Sequence, residues 1–450
     1  MKERVPTGIE GFDSLIEGGI PRGSLVVVAG RPGSGKTIFA AQYLWFGLEH
    51  DEAGLYVSFA EDRDAFLRNM KRFGMDFEKY EQMGKFVFLD FVTVKAEGVG
   101  EILTDILERV DSSKAKRLVI DSLTALTQGL TEKMEVRGIT HTVLGRMTLG
   151  RVGLTTLLIV ESSGSDVSGP EEYVADGVII LEHMMKEKAE ERTLQISKMR
   201  GTPVPRMTFE FLIDENYGGL SVIALPTRAA TDVAPTEKLT TGVEGLDKVL
   251  DGGVFRRSIA LVEGPEGVGK TTLCLQFLFS NARKGEKALF ATFEEPIGQI
   301  KRMLKTYWAD YEKVGDSFGI DAYVPEAFTP LHYYKLLRDM VEKHRPTVLG
   351  IDSLTAVMHT MPRGEFRSFM RYLQLLCKEK GLTVFLTSST GKRWAELRSG
   401  ASTFVDDIVL MRYRELDGKM VREIMVAKSR GTAEDRIMRF DVTGEGIVVH

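Results

Sequence analysis

The sequence predicts an α/β protein of two tandem domains, each a mostly parallel central sheet flanked by helices, with an antiparallel extension. Three observations predict it. The stretch GRPGSGKT, Gly30–Thr37, returns as GPEGVGKT, Gly264–Thr271, 234 positions later. Matching segments surround both copies in the same order. PTGIEGFDSLIEGG from Pro6 lies over TTGVEGLDKVLDGG from Thr240, and LYVSFAED from Leu55 over LFATFEEP from Leu289. RLVIDSLTAL from Arg117 lies over VLGIDSLTAV from Val348, and KMRGT from Lys198 over KSRGT from Lys428, while the offset drifts only from 234 to 230. Finally, short apolar runs alternate with amphipathic stretches, the pattern of strands buried on both faces between helices.

Each element follows in order. SLVVVAG reads as a strand, and TIFAAQYLWFGLEH as the helix opened by the glycine-rich loop. GLYVSF, RLVIDS and TTLLIVES are further buried strands. RTLQISKMR and MTFEFLIDENYGGLSVI read as hairpin strands that extend the sheet antiparallel. The same order repeats in the second half, so we expect a first domain over 1–225, a linker over 226–238 and a second domain over 239–450. The linker segment, rich in Pro, Thr and Ala, has no apolar period.

Composition narrows the function classes. The chain of 450 residues is 43% hydrophobic and 27% charged, an ordinary globular balance. No apolar run is long enough to span a membrane, and MKERVPTGIEGF has no secretory apolar core. Cys274 and Cys377 sit in apolar runs and read as core residues, which points to a reducing, cytoplasmic setting. The net charge of −5 weighs against non-specific coating of nucleic acid. Only three asparagines occur beside many Glu, Lys and Arg, a thermophile-like bias.

In G-x-x-x-x-G-K-[ST] the glycines let backbone N–H groups converge on phosphate oxygens. The lysine reaches the β and γ phosphates, and the hydroxyl ligates Mg²⁺. Here those positions are Gly30, Gly33, Ser34, Gly35, Lys36 and Thr37, then Gly264, Gly267, Val268, Gly269, Lys270 and Thr271, with Thr272 following. ATP and Mg²⁺ are the implied ligands. A glycine-rich turn without a ligand is the plain alternative. Asp121 and Asp352 each end an apolar strand ahead of Ser-Leu-Thr-Ala and can hold the Mg²⁺ shell with Thr37 and Thr271. A lone aspartate there could equally cap a turn. Its recurrence, 84 residues after Thr37 and 81 after Thr271, favours the metal role.

Glu61 follows the second strand of the first half, and Glu294 and Glu295 that of the second. A carboxylate at such a strand tip can orient or deprotonate a water attacking a phosphate; surface glutamates are the alternative. Ala60 stands where the second half has Glu294, so the first half lacks one of the pair. Lys198 with Arg200, and Lys428 with Arg430, alternate along an extended segment and are expected on one strand face, suited to a phosphate. A solvated basic edge is the competing reading.

Together these motifs resemble the KaiC type of RecA-superfamily ATPase, the cyanobacterial clock ATPase and its archaeal relatives. TGIEGFD and TTGVEGLD, both P-loops, the glutamate after strand two, IDSLTA and the K-x-RGT segments carry the resemblance, which covers nearly the whole chain. It implies two RecA-like domains stacked into rings of about six subunits, with ATP at the subunit boundaries and an unknown signalling partner. Lys198, Arg200, Lys428 and Arg430 would then act on a neighbouring subunit's nucleotide. Tyr307 would lie beside the adenine in the second domain, and Glu61 would be the retained base of the first. The resemblance also implies autophosphorylation at an adjacent Ser-Thr pair of the second domain, here Ser402 and Thr403, where the first domain has Glu171, Glu172 and Tyr173. The alternative is that this pair merely starts a strand. The chain ends at TGEGIVVH without the clock protein's long tail, so neither a clock role nor a KaiA-type partner is expected. Two other classes remain: a DNA-pairing recombinase, disfavoured by the acidic balance, and a nucleotide-gated scaffold with little turnover.

Overall fold

A computed structural model describes the chain except residues 1–2, 92–98, 128–152, 163–173, 186–189, 205–207, 224–234, 326–327, 391–400 and 431–435. The chain divides into two compact units, one of Met1–Lys186 with Glu190–Ala224, the other mostly Leu225–His450. The expected linker falls largely outside the described residues.

The first unit contains β1 (Leu25–Gly30), β2 (Gly54–Ser58), β3 (Phe86–Asp90), β4 (Arg117–Asp121) and β5 (Thr155–Glu161). It continues with β6 (Gly177–Met185), β7 (Glu190–Met199), β8 (Thr208–Asp214) and β9 (Gly219–Val222). They form one nine-stranded sheet in the order β3-β2-β4-β5-β1-β6-β7-β8-β9. Pairing is parallel from β3 through β6 and antiparallel from β6 through β9. The second unit repeats this with β10 (Ile259–Gly264), β11 (Ala288–Thr292), β12 (Phe318–Ala322), β13 (Val348–Asp352) and β14 (Thr383–Ser389). β15 (Asp407–Leu416), β16 (Lys419–Lys428), β17 (Met438–Thr443) and β18 (Gly446–Val449) complete it. Its order is β12-β11-β13-β14-β10-β15-β16-β17-β18, the same topology strand for strand. Even the register shift recurs, between Val178 and Ile179 and between Ile408 and Val409. The fold class expected from the sequence is the one observed.

Alternation along β1 shows why its run is apolar throughout. Val26 and Val28 join the core on one face of the sheet, and Leu25, Val27 and Ala29 the core on the other. The helix after the loop, Lys36–Glu49 (α1), packs into the first of these through Phe39, Ala40, Tyr43 and Leu44. Buried Gln42 fixes α1 to β9 by exchanging hydrogen bonds with the Leu220 backbone, at 3.1 and 2.7 Å. In the second unit Gln276 of α2 (Lys270–Ala282) does the same with Ile447, at 3.2 and 2.7 Å. The TGxxGxD segments are also explained. Asp13 accepts from Thr7 N at 2.9 Å and Thr7 Oγ1 at 2.8 Å, and Asp247 from Thr241 N at 2.7 Å and Thr241 Oγ1 at 2.6 Å. Cys274 and Cys377 are buried, as read from the sequence.

One structural need is met differently in the halves. Arg117 is 2% exposed and donates through Nη1 to the carbonyls of Pro6 (2.8 Å) and Tyr43 (2.6 Å). It fits because residue 47 is glycine: a Cβ there would stand 2.3 Å from Arg117 Nε. In the second unit Val348 replaces the arginine, and Asn281 stands at the glycine position. Asn281 Nδ2 donates to Thr240 O at 2.9 Å and Phe277 O at 2.7 Å, the equivalent carbonyls.

Candidate functional site: two P-loops at the strand ends

The parallel strands deliver Gly30, Ser58, Asp121 and Glu161 to one edge of the first sheet, and Gly264, Thr292, Asp352 and Ser389 to the same edge of the second. Ligands of open α/β sheets bind at such carboxyl ends. Gly30 and Gly264 are glycines because the neighbouring strand leaves no room: an added Cβ would meet Leu181 O at 2.2 Å and Met411 O at 2.6 Å. Gly35 and Gly269, at φ 99° and 118°, turn the chain into α1 and α2. Gly33 and Gly267 are left-handed too, which turns successive N–H groups toward one concavity and suits a polyphosphate. The hydroxyl of buried Ser34 has no hydrogen-bond partner among the described residues, a donor that fits the same ligand. Val268, its counterpart, is fully buried, and Thr272 is buried in α2.

Lys36 Nζ donates to the Gly30 and Arg31 carbonyls, both at 2.9 Å, and Lys270 Nζ to Pro265 O at 2.9 Å. Burial lowers the pKa of both lysines. The charges of Glu161 and Asp121 oppose this at Lys36, and those of Asp352, Glu294 and Glu266 at Lys270. Thr37 Oγ1 donates to Asp121 Oδ2, and Thr271 Oγ1 to Asp352 Oδ2, each at 2.9 Å. Residues 84 and 81 positions apart thus meet in the pairing the sequence suggested. Thr37 with Asp121, and separately Thr271 with Asp352, each form an oxygen donor pair of the kind that Mg²⁺ takes through one or two protein ligands beside phosphates. Burial raises the Asp352 carboxyl above its ordinary range, against hydrogen bonds from Thr387 and Thr271.

The Ser-Leu-Thr-Ala segment is legible residue by residue. Ser122 and Ser353 accept from Ala125 N (3.2 Å) and Ala356 N (3.3 Å), starting the short helices that follow. Leu123 and Leu354 are buried. Thr124 and Thr355 accept from the backbone N–H of Glu161 (2.9 Å) and Ser389 (2.7 Å), tying each aspartate strand to its neighbour.

Glu61 is held at the tip of β2 by a turn in which Ser58 Oγ accepts its N–H at 3.0 Å and donates to its carbonyl at 2.6 Å. Its carboxylate accepts from Asn69 Nδ2 at 2.7 Å. Burial raises its pKa, assisted by the charges of Asp121 and Asp62 and opposed by Asn69. In the second unit Thr292 Oγ1 accepts from the N–H of Glu294 (3.3 Å) and Glu295 (2.9 Å). Glu294 is exposed, while the half-buried Glu295 has an oxygen with no hydrogen-bond partner among the described residues. Ala60 is exposed. A cavity of about 770 Å³ opens beside the second P-loop, lined in part by Pro265, Glu266, Thr355, Thr390 and Tyr413, and is large enough for a nucleotide.

The Lys-x-Arg pairs lie at the other end of the sheet. Arg200 pairs with Asp176 Oδ1 at 3.4 Å, and Asp176 Oδ2 accepts from Leu25 N, the first residue of β1, at 3.1 Å. Arg430 pairs with Asp406 Oδ1 at 3.2 Å, and Asp406 Oδ2 accepts from Ile259 N, the first residue of β10, at 2.9 Å. Gly30 and Gly264 are five residues on, about 16 Å along a strand, so neither arginine can reach its own P-loop. The expectation of a shared strand face is corrected. β7 ends at Met199 and β16 at Lys428, so both arginines lie beyond the strand ends, 59% and 62% exposed, while Lys198 and Lys428 are half-buried. Lys428 Nζ donates to Ser402 O at 2.9 Å and also to Val405 O. Ser402 and Thr403 occupy a turn before β15 rather than starting a strand, half-buried and exposed respectively. Glu171, Glu172 and Tyr173 lie outside the described residues. Tyr307 closes the helix Ile297–Tyr307, half-buried with its ring 5.7 Å from that of Trp308.

Sequence reasoning missed four further side chains at this edge. Tyr56 donates to Asp121 Oδ2 at 2.6 Å, and Thr387 donates to Asp352 Oδ1. Arg192 donates to the P-loop carbonyl of Gly33 at 2.8 Å, and Tyr413 to that of Gly267 at 2.7 Å. Tyr56, Thr387 and Tyr413 do not recur between the halves, so the repeat could not flag them; Arg192 recurs as Arg422, which lies over the Tyr413 ring.

The fold and these sites define a protein of two tandem P-loop domains. The KaiC ATPase family model matches it twice, over residues 5–226 and 239–450. The circadian clock protein KaiC3 of Synechocystis sp. (strain ATCC 27184 / PCC 6803 / Kazusa) is 33% identical over 467 residues, 99% of this chain and 91% of that protein. The circadian clock oscillator protein KaiC of Prochlorococcus marinus subsp. pastoris is 31% identical, covering 99% of this chain and 90% of that protein. That of Parathermosynechococcus lividus is 32% identical, covering 98% and 84%. The chain belongs to the KaiC family. No helix among the described residues is long and apolar enough to cross a membrane.

Proposed function

We propose that the protein is a Mg²⁺-dependent ATPase that assembles into a ring of about six chains, with nucleotide at the boundaries between subunits in both domains. The observation that carries this is the division of each domain into two ends. One end holds the P-loop, the Thr–Asp pair and the strand-tip glutamate. The other presents an exposed arginine, Arg200 or Arg430, that cannot serve its own P-loop. A head-to-tail contact between copies brings the second end of one chain to the first end of the next, as heterologous interfaces do when they close a ring.

In this reading Lys36 and Lys270 leave the loop carbonyls to neutralise phosphate charge. Thr37 with Asp121, and Thr271 with Asp352, would hold the cation, which when bound offsets charge on the β and γ phosphates. Glu61 orients or deprotonates the attacking water in domain 1, and Glu294 with Glu295 in domain 2. Ser402 and Thr403 lie on the same end as Arg430, close enough to Lys428 to share its contacts. That placement supports a second activity, transfer of a phosphoryl group to one of these hydroxyls from the site of an adjacent chain. The protein would act in signalling or regulation. Domain 1, with Ala60 in place of a second glutamate, would be the slower site and the more scaffold-like.

The test combines nucleotide binding with native mass. Lys36→Ala and Lys270→Ala should each halve the bound ATP, and the double variant should bind none. Native mass spectrometry with Mg-ATP should give the ring, and Arg200→Ala or Arg430→Ala should weaken it or its turnover without removing ATP. A monomer under saturating Mg-ATP would sink the boundary reading.

A further inference from the structure

The two halves share a fold but hold the aspartate of the strand tip from opposite sides. In each sheet the aspartate strand has two parallel neighbours: β2 and β5 flank β4, and β11 and β14 flank β13. In domain 1 the hydroxyl comes from β2, where Tyr56, 1% exposed, donates to Asp121 Oδ2 at 2.6 Å. The equivalent residue on β11 is Phe290, which has no hydroxyl. In domain 2 the hydroxyl comes from the other flank, where fully buried Thr387 of β14 donates to Asp352 Oδ1. The equivalent residue on β5 is Ile159. Each half thus carries one buried hydroxyl on its aspartate, and neither has both. The oxygens are loaded differently. Asp121 Oδ2 accepts from both Thr37 and Tyr56, whereas Asp352 takes Thr271 on Oδ2 and Thr387 on Oδ1.

We propose that Tyr56 and Thr387 are positioning residues for the metal-nucleotide sites, interchangeable in role though they stand on opposite flanks. A carboxylate on a strand tip rotates about χ1 and χ2 unless something holds it. Thr37 and Thr271 cannot be the sole holders, because their hydroxyls are themselves the expected partners of the cation. A second hydroxyl, buried and fixed by its own strand, keeps the aspartate aimed when the threonine turns toward the metal. Partners of this kind behind a metal site change affinity by about 10- to 100-fold when removed. The inference rests on reading both P-loops as Mg-nucleotide sites.

The experiment uses the full chain with one site silenced. In a Lys270→Ala background, binding of a fluorescent ATP analogue is titrated with Mg²⁺, and Mn²⁺ binding is followed by electron paramagnetic resonance. Tyr56→Phe should raise the half-saturating metal concentration by about tenfold, with little effect on binding in EDTA. Phenylalanine fits at this position in the sister domain, so the variant should fold. Adding Ile159→Thr should restore the metal dependence to within about threefold of the parent, because the hydroxyl now arrives from the other flank. The mirror pair, Thr387→Val and Phe290→Tyr in a Lys36→Ala background, should behave likewise. A Tyr56→Phe titration identical to the parent would overturn the proposal, as would a double variant no better than the single one. A melting shift with no change in metal dependence would overturn it too, since that marks a purely structural role. If the parent itself binds no nucleotide in a Mg²⁺-dependent way, the functional reading fails instead, and the two failures are distinguished.

Discussion

Arg117 and Asn281 solve one problem by two routes, and exchanging the routes is a quantitative test. Arg117→Val removes the donor to the part-buried Pro6 carbonyl and the buried Tyr43 carbonyl, and one of two partners of Glu52, which Arg117 Nε meets at 2.7 Å. Glu52 keeps Arg22 at 2.9 Å and is 20% exposed, so its share of the loss is small. The Tyr43 carbonyl lies within α1 and keeps its helical N–H, so the loss falls on the Pro6 carbonyl, about 1–3 kcal/mol, and on the broken charged network, about 3–5 kcal/mol, and we expect domain 1 to lose about 3–5 kcal/mol. Gly47→Asn alone drives a Cβ to 2.3 Å from Arg117 Nε and 2.4 Å from its Cδ, an overpacking cost of about 1–3 kcal/mol or more. Together the two changes reproduce Val348 and Asn281. The new amide should reach the Pro6 and Tyr43 carbonyls as Asn281 reaches its own pair. The double variant should therefore be more stable than Arg117→Val alone, with a coupling of about 2 kcal/mol or more. The assay is urea unfolding followed by Trp45, whose ring packs against Phe77 at 5.5 Å and Tyr80 at 5.3 Å. Trp308→Phe and Trp394→Phe make it the sole tryptophan, since the chain has three. A domain-1 probe keeps the transition separate from that of domain 2. If the double variant loses the sum of the two single losses, the equivalence of the carbonyls is wrong.

Three further outcomes are expected. In a Lys270→Ala background, Glu61→Gln should lower turnover by about 100-fold or more, measured as phosphate release; an unchanged rate removes Glu61 as the base. The active form of Glu61 is its carboxylate, and burial raises its pKa. The domain-1 rate should therefore rise with pH and level off only above the ordinary glutamate value of 4.5, and a plateau already complete below that value would contradict the assignment. Phosphopeptide mapping after incubation with Mg-ATP should find phosphate on Ser402 or Thr403, adding about −1.5 to −2 charges beside Lys428; hydrolysis without any such mark leaves domain 2 a plain ATPase.

How much of this was legible in the sequence depended on what kind of constraint each residue answers. The P-loops and the Thr–Asp pairs were legible because a duplicated chain shows the same residue types at the same places twice, as the proposed phosphate and metal chemistry would require. The buried strands were legible because a strand covered on both faces has to be apolar at every position, as β1 is. The exposed ends of the sheet were harder. The i, i+2 spacing of Lys198 and Arg200 placed both on one strand face, but β7 stops at Met199 and the arginine falls in the turn. Backbone hydrogen bonding ended the strand there, and side-chain spacing carries no signal of that. Nor could spacing reveal that the pair sits at the far end of the sheet from its own P-loop. That follows only from β6 running parallel to β1 and β7 returning antiparallel beside it.

The residues that escaped have a common cause. Three backbone or carboxylate groups need a donor in both halves: the carbonyls before α1 and within it, the P-loop carbonyl of Gly33 or Gly267, and the strand-tip aspartate. In each case the acceptor is retained and the donor moves. Arg117 on a strand gives way to Asn281 on a helix, and Tyr56 on one flank to Thr387 on the other; Arg192 on β7 is kept as Arg422, yet the donor to the P-loop carbonyl is Tyr413 on β15. A buried acceptor must be satisfied, because leaving it bare costs about 1–3 kcal/mol, but any side chain that reaches it will serve. Acceptors set by the fold are therefore constant across the duplication, while their donors drift, and a motif search sees only what is constant. Gln42 and Gln276 are the instructive contrast. Their amide donates to and accepts from the same strand residue, and that two-way requirement leaves far fewer substitutes. Side chains that both give and receive should therefore persist where one-way donors exchange, and under the proposed function the exchangeable ones are where the two sites would differ in metal dependence without any change in their P-loops.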